Sequence, residues 1–417
     1  MNLLDNASPN ALELPAETTA ILEALHEFAR KHVIERDERN GGILTNPRLV
    51  FDDHGRYSPE VMRHRREIRM LSAELGYYHM CVPEDLGGGG EGAVTWFAAW
   101  ERLYRTLGSR FAPVMYDLIA HWASGPSHIF HHVTDALRAR VFPTLMSGES
   151  MLCFAMSEPD AGSDIWNLKT RAVRDGDGWR ISGVKQWISN GLYAEHALVF
   201  AITDSEQVAN RAGGISAFLV STDDPGFSAA PIEVTGHIGG HEGILTFENV
   251  WAPADSLVGV EGEGLKIGFE GLALGRLYNA ADAIGTCRWA LEQAREYALA
   301  RKTFGKAIAE HQAIAFMLAD CGTEILCSHL AALHAARIVD SENGGLLETS
   351  IAKLVASNMG CSVMDRVIQI HGGMGVSNEL GFIEAWHHMR VARIADGSDE
   401  ILRRIISRGV LRQDLAL

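Results

Sequence analysis

The chain has 417 residues, of which 47% are hydrophobic and 22% charged, the balance of a globular protein with two or three domains and not of a disordered chain. A formal charge of −16 at pH 7 leaves no basic footprint for nucleic acid and argues against adsorption to an anionic membrane surface. Six cysteines, Cys81, Cys153, Cys287, Cys321, Cys327 and Cys361, form neither a C-x-x-C pair nor a disulfide-dense scaffold, so a reducing, cytoplasmic setting is expected.

The opening residues "MNLLDNASPNALELPAETT" lack a basic stretch followed by an apolar one, and no uninterrupted run of about 18 apolar residues occurs. From Pro15, the spacing of Leu22, Leu25, Phe28 and Val33 predicts a helix, and "PEVMRHRREIRMLSAELG" and "AVTWFAAWERLYRTLG" predict two more. Between them lie a punctuated insertion at about residues 40–58 and the loop "PEDLGGGGEG". The pattern then turns to short β-rich runs, beginning with "RAVRDGDGWRISGVKQWIS", in which "DGDG" reads as a hairpin turn. "ALVFAIT", "ISAFLVST" and "ILTFENVWA" continue it, before three long helical patterns fill the chain from Gly275 to Gly373. The reading is α+β, with helices over 15–150, an antiparallel β domain over 151–260 and a helical bundle over 261–411.

Two β-region segments carry more than composition. "MSEPDAGSD", Met156 to Asp164, is by itself a polar turn able to present backbone N–H groups to an anion. "GVKQWISNG", Gly183 to Gly191, sets Trp187 beside hydroxyls, where it either stacks on a planar cofactor or packs the core. A third stretch, "ARIADGSDEIL", crowds Asp396, Asp399 and Glu400 ahead of an apolar run, where carboxylates serve a helix start.

Taken with "ARKTFGKAIAEHQ" and "QIHGGMGV", these segments resemble the acyl-CoA dehydrogenase family in order and approximate spacing. The resemblance implies the acyl-CoA dehydrogenase fold: an N-terminal α-helical domain, a middle antiparallel β-barrel domain and a C-terminal four-helix bundle. It also implies FAD, an acyl-CoA substrate, electron-transferring flavoprotein as acceptor, and a homo-oligomer, dimer or homotetramer, that shares its cofactor sites. Residue by residue, it places Phe154, Met156 and Ser157 beside the flavin, Ser163 against FAD and the CoA arm, and Trp187 and Ser189 flanking the ring. Arg301, Phe304 and Gln312 match positions that hold a neighbouring subunit's FAD, and Gln369 and Gly373 the other side of that site. Gly397, Ser398 and Glu400 follow the catalytic position and line flavin and substrate.

The family's chemistry implies a carboxylate that removes the substrate's α-proton while the β-hydrogen passes as hydride to flavin. In most members that base is a glutamate in "Y-E-G-T"; here the matching residue is Asp396 in "A-D-G-S". The family's alternative base position holds Gly275, so Asp396 is the expected base, with Arg276 orienting substrate and balancing charge. Asp399 and Glu400 read as helix-capping. Aspartate at this place resembles the branch containing family members ten and eleven, which tilts the substrate towards medium-to-long or substituted acyl chains. Two alternatives stand beside this: a nitroalkane-oxidase-like flavin oxidase, and a catalytically silent flavin or acyl-CoA binding protein. The histidines lack metal-ligand spacing, and His371 reads as a packing or FAD-facing residue.

Overall fold

The computed structural model describes residues 13–234, 241–341 and 344–412. Its longer helices, in chain order, are α1 (Ala16–Ala29), α2 (Pro59–Glu74), α3 (Ala93–Leu107), α4 (Asp135–Met146), α5 (Leu272–Ala300), α6 (Gln312–Asp340), α7 (Leu346–His371), α8 (Phe382–Ala392) and α9 (Asp399–Arg412). The strands are β1 (Leu152–Ala155), β2 (Arg171–Asp175), β3 (Gly178–Ser189), β4 (His196–Ile202), β5 (Ile215–Ser221), β6 (Phe227–Pro231), β7 (Glu242–Pro253) and β8 (Leu257–Val258), with a separate hairpin of β9 (Lys302–Thr303) and β10 (Lys306–Ala307). The chain divides into two compact units, one of residues 1–39, 92–112 and 272–417, the other of 40–91 and 113–271.

In the first unit α5 packs against α3, α6 and α7. Its first half is buried on all sides, and its small residues allow close approach: a Cβ on Gly285 would stand 2.5 Å from the Glu101 carbonyl of α3. The spacing that predicts α1 is realised, with Leu22, Leu25, Phe28 and Val33 all in the core. Helix α6 packs on α5 and α7 but keeps an apolar outer face, including Phe316 and Leu330. An 18-residue stretch of it has mean hydropathy 1.3 and only 17% of it is buried. Asp320 and Glu324 interrupt its apolar sequence, which is why no apolar run stands out.

The second unit holds an eight-stranded sheet of order β6-β7-β3-β2-β4-β5-β8, with β1 added beside β4. It is antiparallel except where β4 runs parallel to β1 and briefly to β2. The "DGDG" turn closes β2 onto β3, pairing Asp175 with Gly178, and Gly176 takes a φ of +56° that suits glycine. Strands β4 and β5 are buried along nearly their whole length, which explains their unbroken apolar sequences. In the loop Gly87–Gly90, a Cβ on Gly88 would come within 2.2 Å of the Val82 carbonyl, so a side chain there would clash with backbone.

The insertion at 40–58 is docked onto this sheet. Arg56 Nη2 donates to the Ala229 carbonyl at 2.8 Å, and the Tyr57 amide donates to the Tyr193 hydroxyl at 2.7 Å. The Tyr57 and Tyr193 rings stack at 5.4 Å, and the Arg65 guanidinium lies 5.0 Å from the Tyr57 ring centre. Arg65 and Arg69 are in turn held by the fully buried Asp117, each at 2.7 Å.

Candidate active site

In the second unit, the two motif segments of the β domain lie side by side. The Gln186 amide of β3 donates to the Ser157 carbonyl at 2.9 Å, and Lys185 Nζ donates to the Met156 carbonyl at 3.0 Å. The same ammonium meets Glu158 at 2.8 Å, both side chains being almost fully buried. Glu158 also accepts from the Lys169 and Thr170 amides, at 2.6 and 3.0 Å. Burial pushes the Lys185 ammonium down to about 8, against the pull of Glu158. Glu158, the second residue of "SEPDAGSD", is therefore an internal clamp that shapes the turn. Neither Glu158 nor Lys185 stands out in the sequence, because only the strand-to-turn contact brings them together.

Trp187 falls in an irregularity of the β3–β7 register, between Lys185 and Ile188. Its φ is +61° and its side chain is 56% exposed, so it is not the core tryptophan its strand position allows. Ser189 follows two residues later on the same strand. Phe154 is half-buried between Trp122 and Phe200, at 5.2 and 4.8 Å, and Ser163 is exposed on the turn. Of six non-glycine residues at positive φ among the described residues, Trp187, Phe304 and Asp396 are three that the motifs single out. Each of the three, within its own unit, stores backbone strain at a motif residue.

Phe304 and Gly305 form the two-residue turn of the β9–β10 hairpin, with φ of +51° and +82°. Both central residues of such a turn need positive φ, and a phenylalanine there carries strain. The ring is 97% exposed, beside the exposed Arg301. Arg301 makes no ion pair among the described residues, which leaves its planar fork open to a pyrophosphate. Gln312 opens α6 as an exposed residue, and Gln369 is exposed near the end of α7. At Gly373, beyond the Gly372 helix stop, an added Cβ would meet open space. In the first unit the open guanidinium and the bare glycine backbone suit the pyrophosphate of a dinucleotide, and in the second the exposed Trp187 ring suits stacking on a planar cofactor. Arg301→Ala should raise the dissociation constant for FAD by roughly 10–100-fold, the loss of a hydrogen bond to a charged group; flavin content after dialysis measures it.

The carboxylate site lies wholly in the first unit. Asp396 (φ +50°) and Gly397 (φ +95°) turn the chain sharply between α8 and α9. Asp396 Oδ2 accepts from Asn279 Nδ2 of α5 at 2.7 Å. Arg276, one turn earlier on α5, is 2% exposed and donates through Nη1 to Ser350 Oγ at 3.0 Å and the Leu346 carbonyl at 3.3 Å. Burial lowers the affinity of that guanidinium for its proton, and the Asp396 charge opposes the effect. No ion pair joins the two, so Arg276 acts on Asp396 as a nearby charge. Lys353 of α7, fully buried, donates from Nζ to the Gly397 carbonyl at 2.9 Å and pins the turn from the other side.

One helix-start expectation changes. Ser398 occupies the cap position, its hydroxyl accepting weakly from the Ile401 amide at 3.4 Å and its carbonyl from the Leu402 amide at 2.9 Å. Asp399 is not a cap: it is 2% exposed, and its Oδ2 accepts from Arg393 Nε and Asn358 Nδ2, each at 2.9 Å. Burial converts a capping residue into the partner of a cation. Glu400 remains exposed, its carboxyl held below the usual range by its own amide and the Ser398 hydroxyl. His371 is a packing residue, set between Tyr297 and Phe382 with Nδ1 donating to the Val367 carbonyl at 2.8 Å. Among the described residues no cluster of histidine, cysteine or acidic side chains could hold a metal.

Lys353 is the residue most nearly visible in advance: in "TSIAKLVAS" it falls on the stripe of Thr349, Ala352 and Ala356, which faces the core. Burial pushes its ammonium down to about 8, opposed by Asp396 and Asp399. Below that pH both folded and unfolded chains carry the proton, and the cost of the buried charge is present in full. Between about 8 and the ordinary 10.5 the unfolded chain binds more protons, so the Lys353 contribution to stability rises with pH. Urea midpoints at about pH 7.5 and 9.5 should therefore shift in favour of wild type relative to Lys353→Met.

Family models for the acyl-CoA dehydrogenase N-terminal, middle and C-terminal domains match residues 15–149, 153–250 and 262–411. The chain belongs to the acyl-CoA dehydrogenase family. It has that family's fold, with N-terminal helical, middle β and C-terminal helical domains, and it is an FAD-dependent oxidoreductase. Among relatives of this acyl-CoA dehydrogenase, the mitochondrial short-chain specific acyl-CoA dehydrogenase of Homo sapiens is 32% identical over 403 residues, 96% of this chain and 92% of the relative. The caffeyl-CoA reductase-Etf complex subunit CarC of Acetobacterium woodii is 31% identical over 349 residues, 84% of this chain and 90% of the relative. The solved butyryl-CoA dehydrogenase of Megasphaera elsdenii superposes with a TM-score of 0.80 at 27% identity, covering 96% of this chain and 99% of that one.

Proposed function

We propose that this acyl-CoA dehydrogenase removes the α-proton of an acyl-CoA thioester with Asp396 and yields the trans-2-enoyl-CoA. The observation that carries the reading is the turn at Asp396 and Gly397. A carboxylate on left-handed backbone is tied through its side chain to α5 and through the next carbonyl to α7, while Asp399 is committed to Arg393 and Asn358. Of the two aspartates in that stretch Asp396 is thus the one free for proton transfer, and Gly275 offers no second base. FAD, when bound, supplies the two-electron acceptor for the β-hydrogen. Asp396 takes the proton, and Arg276 and Lys353 keep positive charge beside the carboxylate before it does so.

Electron-transferring flavoprotein is proposed as the electron acceptor, in keeping with the Etf complex to which CarC belongs. A second copy of the chain is the proposed cover for the apolar outer face of α6 and the exposed Phe304, giving a dimer or tetramer. Six free cysteines fit a cytoplasmic setting.

The test is an anaerobic titration of the yellow protein with acyl-CoA thioesters of short, long, branched and hydroxylated chains. Bleaching of the flavin by one subset is the expected result and identifies the substrate class. Bound FAD that no acyl-CoA bleaches would reject the dehydrogenase reading.

A further inference from the structure

Resting on Asp396 as the base, we propose that Asn279 is the positioning residue of the proton transfer, holding the aspartate so that Oδ1 alone faces the substrate's α-carbon. Asn279 is 7% exposed on α5, one turn after Gly275. Its amide carries two N–H bonds, and both are used: Nδ2 donates to the Gly275 carbonyl at 2.8 Å and to Asp396 Oδ2 at 2.7 Å. Both neighbours are acceptors, so turning the amide over would set its oxygen against a carbonyl and a carboxylate. The orientation is therefore fixed by its surroundings.

A carboxylate anchored at one oxygen keeps the lone pairs of the other for the proton. An aspartate is one methylene shorter than a glutamate and reaches less far, so its reach depends more on where the carboxylate is held. Asn279 supplies that hold from the side, and Lys353 supplies it along the backbone through Gly397. In the step concerned, the substrate's α-C–H bond breaks, the proton goes to Asp396 Oδ1, and the electron pair remains on the thioester as its enolate. A solvent deuteron can then return to the α-carbon.

This step can be read without hydride transfer. The probe is 3-thiaoctanoyl-CoA, in which sulfur replaces the β-carbon, followed in D2O by mass spectrometry for deuterium at the α-carbon. Asn279→Leu, similar in volume, should slow the exchange about tenfold, the worth of one hydrogen bond. Flavin content and the dissociation constant for the probe should stay within about twofold of wild type, a separation that a merely structural role would not produce. Asn279→Asp keeps the shape but sets an ionised acceptor against the base, so it should slow exchange more than the leucine. Wild-type exchange in Asn279→Asp or in Asn279→Leu overturns the proposal, and equal loss of exchange and of probe binding overturns it too. Asp396→Asn serves as the reference: if it abolishes exchange while the Asn279 variants exchange at the wild-type rate, the positioning role alone fails. Should Asp396→Asn exchange normally, the base assignment itself falls.

Discussion

Asp396→Asn should lower the rate of flavin reduction by acyl-CoA by about 10²–10⁴-fold, the usual worth of a positioned general base, while FAD content stays unchanged. The side chain keeps its size and can still accept a hydrogen bond from Asn279, so the turn survives and only proton uptake is lost. Asp399→Asn is the informative contrast. It removes the buried charge that faces Arg393, so it should lower the unfolding midpoint and spare the chemical step. Stopped-flow flavin reduction and thermal unfolding, measured on both variants, separate the two roles. Equal reduction rates in Asp396→Asn and wild type would remove Asp396 from the mechanism.

Lys185→Met should destabilise the protein by about 3–5 kcal/mol, because it strands the Glu158 carboxylate in the interior of the second unit. Two backbone amides would still donate to Glu158, but the opposing charge would be gone. The turn carrying Met156 and Ser157 would lose the Lys185 bond to the Met156 carbonyl, so flavin retention should fall together with stability. Combining Lys185→Met with Glu158→Gln should recover part of the lost stability, since the double variant buries no lone charge. A double variant less stable than Lys185→Met would show that the pair's charge is not the cause.

Much of the architecture was legible along the chain, because periodicity is a local property. Helical spacing marked α1, α2, α3 and the long helices α5, α6 and α7 to within a few residues, and "DGDG" marked the β2–β3 hairpin. Strands β1, β6 and β8 were not legible: they are short, and their place in the sheet depends on partners elsewhere in the chain. The same division runs through the site. Asp396, Arg276, Trp187 and Arg301 could be named because each sits in a motif with recognisable neighbours.

Local pattern and motif were enough for the long helices, the β2–β3 hairpin, the family and the identity of the candidate base. The tertiary structure alone decided which carboxylate is committed and which is available. Asp396 and Asp399 are three residues apart and look equivalent as helix-start acids. One meets an amide on α5; the other is buried against Arg393 and against Asn358 on α7. The same holds for Lys353 and Lys185, ordinary lysines until burial and a distant carbonyl or carboxylate give them a partner. Hydrogen bonds and desolvation act over a few ångströms in space, and Asn279 and Asp396, which meet at that range, lie 117 positions apart in the chain.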